Sequence, residues 1–171
     1  VVRSEIRKAA AERKTELPAE RLPSLVTRLR PAEKGLLWTL IHQPVETVPW
    51  LRMLQPEDIQ GLRSENILRI ALGLEISPED VPAALMERLS TQEAEMLAAI
   101  AAEASSPVLR PDVSVFSLKR LRLEREQAEV QREIDRLQAA GEKGADLTAL
   151  LRRKMSVQRE LEAMSRSDEI Q

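Results

Sequence analysis

Any chemistry in this 171-residue chain would have to come from one histidine, a few neighbouring carboxylates and two closely spaced glycines. His42 stands before Gln43-Pro44 at an expected helix end. An imidazole can move protons near neutral pH or ligate a metal, but a metal site needs further ligands, and the chain has no second histidine and no cysteine. The acid pairs Glu57-Asp58 and Glu79-Asp80 follow Pro56 and Pro78. A first helical turn favours negative charge at such positions, so the pairs read as helix starts rather than as acid–base catalysts. Gly141 and Gly144 lack the Gly-Lys-Ser or Gly-x-Gly-x-x-Gly setting of a phosphate cradle and read as a turn. Without cysteine there is no disulfide, no thiol nucleophile and no thiolate zinc site. We therefore expect no enzyme, no metal and no cofactor, and look for contact surfaces instead.

The elements that carry such surfaces follow from composition. Hydrophobic residues make up 43% of the chain but aromatics only 2%, namely Trp38, Trp50 and Phe116. With 32% charged residues, five glycines and hardly any alternating β-branched runs, the core must be built from aliphatic residues on helices. The expected fold class is all-α, a helical bundle joined by a long helix to a C-terminal antiparallel helical hairpin. The 26 basic and 28 acidic residues spread along the chain and sum to a charge of -2. No one-sided positive field favours nucleic acid as the main partner. The longest apolar runs, near Ala98-Ala99-Ile100-Ala101-Ala102, fall far short of the ~20 residues of a membrane span, and no apolar signal region opens the chain. We expect a soluble, cytoplasmic protein, and the initial Val1 suggests a piece of a longer polypeptide.

Three regions are expected. Residues 1–30 read as the tail of a preceding region, with a weakly amphipathic helix over 2–16 and a proline-containing linker from Leu17-Pro18. Residues 31–113 read as a bundle of about five short helices. One runs from Pro31 to about Gln43, ended by Pro44, and another covers Val48 to Leu54. A short turn opens at Pro56, and a helix holds Ile67 to Leu74. A helix capped by Ser77 carries Val81, Leu85 and Leu89, and one capped near Thr91 carries Met96 to Ala101 and stops before Ser105-Ser106-Pro107. Residues 114–171 read as one long helix to Ala140, the turn Ala139 to Asp146, and a last helix.

In the hairpin, Val130, Ile134 and Leu137 recur at four and three residues, and Leu147, Leu150, Val157, Leu161 and Met164 continue that alternation, with Lys154 interrupting it. The last helix carries more apolar residues than one stripe needs. Leu151, Met155 and Val157 are therefore open to two readings, burial against the first hairpin helix or exposure as a contact site. The mixed charges of the long helix, including Glu126, Glu129 and Arg132, read as a solvated face. Few apolar residues lie between Arg122 and Glu129, which makes that stretch the candidate hinge.

Two segments carry a resemblance. The first is Pro31-Ala32-Glu33-Lys34-Gly35-Leu36-Leu37-Trp38-Thr39-Leu40-Ile41-His42-Gln43-Pro44; the second joins Gln131 to Gln138 with Leu147 to Leu151, Arg152-Arg153-Lys154 and Gln158-Arg159-Glu160-Leu161. In this order and spacing they resemble the C-terminal domain of bacterial replicative DNA primase, over about residues 31–167. The resemblance implies a non-catalytic bundle followed by a hairpin that binds the N-terminal domains of the hexameric replicative helicase, recruiting primase to the fork and modulating helicase activity. It implies a partner-binding face at Leu150, Arg153, Lys154, Val157, Gln158, Leu161 and Glu162, and a chain that is mainly monomeric alone. The catalytic acids and zinc-binding segment of a full primase have no counterpart here. Because that bundle is similar to the helicase's own N-terminal domain, a helicase oligomerisation module stays open as the alternative, and self-association distinguishes the two.

Overall fold

The computed structural model of the chain describes residues 28–103, 109–142 and 144–168. The expected helix over 2–16, most of the linker after it and the stop at 105–107 lie outside the described residues. Within them the protein is all-α, with eight α-helices, one 3-10 turn and no strand among the described residues.

Helix α1, Pro31–His42, starts with proline at its first position, where a missing N–H is harmless, and with the Glu33 carboxylate turned back to accept the Arg30 N–H at 3.2 Å. The same carboxylate accepts the Ser64 N–H at 3.0 Å and the Ser64 hydroxyl at 2.7 Å. A buried acid is thus satisfied by donors, and α1 is tied to the start of α4, Glu65–Leu72. Pro44 does more than end α1. It occupies the first position of α2, Pro44–Leu51, so this helix begins four residues before the expected Val48. Helix α3, Pro56–Ile59, is one turn. Ser77 makes no side-chain cap bond: Pro78–Asp80 forms a 3-10 turn, and α5, Val81–Arg88, begins after it.

Helix α6, Thr91–Ala101, is capped one residue earlier than expected. Ser90 Oγ accepts the Glu93 N–H at 3.4 Å, and Glu93 accepts the Ser90 N–H at 3.1 Å. Helix α7, Pro111–Ala139, likewise begins three residues before Ser114, because Pro111 takes its first position. The division placed between residues 113 and 114 therefore falls inside the helix. Val115 and Leu118 belong to the same buried cluster as Leu36, Leu40, Leu68, Leu85 and Leu97.

That cluster ends near Leu121. Farther along α7, Leu123, Val130, Ile134 and Leu137 are buried together with Val157 of α8, Ala145–Asp168. Between α7 and α8 the chain reverses on Gly141, whose φ of 72° suits glycine. The Glu142 N–H donates to Leu137 O at 3.0 Å and the Gly141 N–H to Gln138 O at 3.0 Å, satisfying the last carbonyls of α7.

Candidate functional site

The candidate docking face lies on α8, which packs chiefly along α7. A helix packed on one partner hides one side, and the seam is explicit: Val157 is fully buried, while Leu147, Leu150, Lys154, Leu161 and Met164 are half-buried on the same side. Of the seven residues predicted for partner contact, Val157 thus points into the hairpin. Leu150, Lys154 and Leu161 border the seam, and Arg153, Gln158 and Glu162 are exposed. Of the two readings open for Val157, burial against α7 is the one observed, so its place in the partner face implied by the resemblance is corrected.

Leu151 and Met155 do stand outside, 42% and 55% exposed. They are four residues apart and share a line on α8, which Gln158 and Glu162 extend. The Gln158 amide donates to Glu162 at 3.2 Å, fixing the polar end of this line. The predicted set holds the polar half of the outward face and misses its apolar half. The signal was the adjacent pair Leu150-Leu151: only one of two consecutive helical residues can centre on a seam.

The stretch expected to be a hinge is the fastened part of α7. The helix is unbroken, and Arg122 Nε lies 3.0 Å from Oδ1 of Asp58, a buried carboxylate of α3 that also accepts the Gln55 N–H at 2.8 Å. The Nε–H is not aligned for a hydrogen bond, so the pair is ionic contact rather than a directed bond. Arg122 Nη1 donates to Glu126 at 3.2 Å, Glu126 accepts Arg153 of α8, and Arg122 lies 3.9 Å from Glu160. Arg125 donates to the Gln60 carbonyl. A continuous charge network therefore links the bundle, α7 and α8 across a polar cleft where apolar residues are scarce. The charges around Glu126 are its ties, not merely a solvated face.

Elsewhere the polar groups serve structure. His42 is exposed, stacks on Trp38 with ring centroids 4.1 Å apart, and donates from Nε2 to the Ala101 carbonyl at 2.9 Å, which seats the end of α1 on α6. Among the described residues no group of three histidine or carboxylate side chains could hold a metal ion, and no helix is long and apolar enough to cross a membrane. A second apolar surface exists on the bundle, a groove of about 500 Å³ lined by Ile41, Pro82, Ala83, Met86, Leu97 and Ala98. Compared with protein-family models, with curated proteins and with solved structures, the chain matches none.

Proposed function

We propose that this chain is the helicase-binding module of a bacterial replicative DNA primase, docking through α8 onto the N-terminal domains of the hexameric replicative helicase in the bacterial cytoplasm. The observation that carries the reading is the divided surface of α8. One side is spent on α7, and the other offers Leu151 and Met155 with Gln158 and Glu162 beside them. The two sequence segments that resemble the primase domain supply the identity of the partner. Burial of the two apolar side chains supplies affinity, and the surrounding charges set register and encounter rate. The module recruits primase to the fork and modulates the helicase; primer synthesis resides in the rest of the parent protein, and no nucleic acid, metal or cofactor is required here.

Size-exclusion chromatography with light scattering tests this. The chain alone should elute as a monomer and should co-elute with the helicase hexamer from the same bacterium. Self-assembly into dimers or trimers without helicase would point instead to an oligomerisation module of the helicase, and absence of a complex would overturn the reading.

A further inference from the structure

We infer that the outward stripe of α8 formed by Leu151, Arg152, Met155 and Arg159 receives an acidic amphipathic helix, which rests on the docking reading above and specifies the chemistry of its partner. The four residues are spaced by one, three and four positions and so lie along one side of the helix. Leu151 and Met155 are 42% and 55% exposed, and Arg152 and Arg159 are exposed with no hydrogen-bond or ion-pair partner among the described residues. The carboxylates nearby are already engaged. Glu160 accepts Ser156 Oγ at 3.3 Å and lies 3.9 Å from Arg122, Glu162 accepts Gln158, and Glu126 holds Arg153. Those three carboxylates are engaged within the protein, and the two guanidinium groups have no acceptor among the described residues.

Arg152 and Arg159 are seven residues apart, about 10 Å along the axis at the rise of an α-helix, with Met155 between them. A complementary helix presents an aliphatic residue flanked by carboxylates two turns apart, which guanidinium groups accept with bidentate geometry. A nucleic-acid backbone would meet a chain of net charge -2, and a bilayer would find only two apolar side chains to bury.

The isotope-labelled full chain, titrated by NMR with a helical peptide carrying Leu and Glu at heptad spacing, should show amide shifts over residues 151–159. The same peptide with Lys for Glu should show none. In the double variant Arg152→Glu/Arg159→Glu the preference should switch to the Lys peptide; both positions are exposed, and far-UV circular dichroism checks the fold. Equal response to both peptides, shifts confined to the bundle groove, or tighter binding of duplex DNA or anionic vesicles than of the acidic peptide overturns the inference. In a parallel titration, the double reversal should weaken helicase binding about tenfold or more at low salt, while Arg132→Glu, an exposed position on α7, leaves it within about twofold. Helicase binding indifferent to the reversal overturns the acidic-helix inference and leaves the docking reading standing. Peptide switching without any helicase complex does the opposite.

Discussion

A hydroxyl and a carboxylate three residues apart start α6, and their exchange shows how much one position decides. Glu93 is held below the ordinary carboxylate range of 4.5, first by the Ser90 side-chain hydrogen bond and then by the Asn66 amide at 2.8 Å. Because the folded-state value is lowered, this contribution to stability is complete above the unfolded value and is lost as pH falls through the folded one. Ser90→Ala should cost about 1 kcal/mol at neutral pH, and the difference from the native chain should shrink below about pH 4 as the carboxylate protonates in both states. Urea melts at the two pH values check this. The sequence marks the cap region but not its residue, since Ser90 and Thr91 both carry hydroxyls and only the extended backbone at the end of α5 selects the first. Val157 is a similar case. Its spacing places it on the seam, yet the surplus apolar residues beside it leave its direction open until α7 is in position.

At the level of elements, the turn between α7 and α8 was readable from glycine alone, because φ near +72° at Gly141 is a backbone requirement. No atom lies within 4 Å of a Cβ added at Gly141 or at Gly144. Gly141→Ala should therefore cost about 1 kcal/mol through the left-handed conformation alone, whereas Gly144→Ala, with no such φ, should be neutral or slightly stabilising. Thermal melts of the two variants give the comparison. The direction of the long helix was not readable, because the residues that fix it are charged and distant in sequence. Asp58 satisfies a helix start locally, and nothing in Pro56-Glu57-Asp58 announces a partner on α7. Arg122→Met leaves that buried carboxylate without its cation and should destabilise the chain by about 2 kcal/mol in chemical denaturation. It should also broaden the distance distribution between spin labels at Ala83 and Glu142, which can be introduced as unique cysteines because the chain has none.

The molecule as a whole divides its apolar residues between a bundle core and a hairpin seam, with charge ties in between. The all-α class followed directly from aliphatic periodicity and proline starts, since both act locally. The outward face of α8 followed only in part, because exposure there is what remains after α7 has taken its side. Among the described residues, apolar surface stays open along the line through Leu151 and Met155 and in the groove beside Met86. The central claim is that the first of them meets the helicase. Hydrogen–deuterium exchange of the chain, alone and saturated with the helicase hexamer, tests it most directly. Binding should slow exchange over residues 147–164 and leave α4 to α6 unchanged; protection centred on Pro82 to Ala98, or none anywhere on α8, would contradict the account.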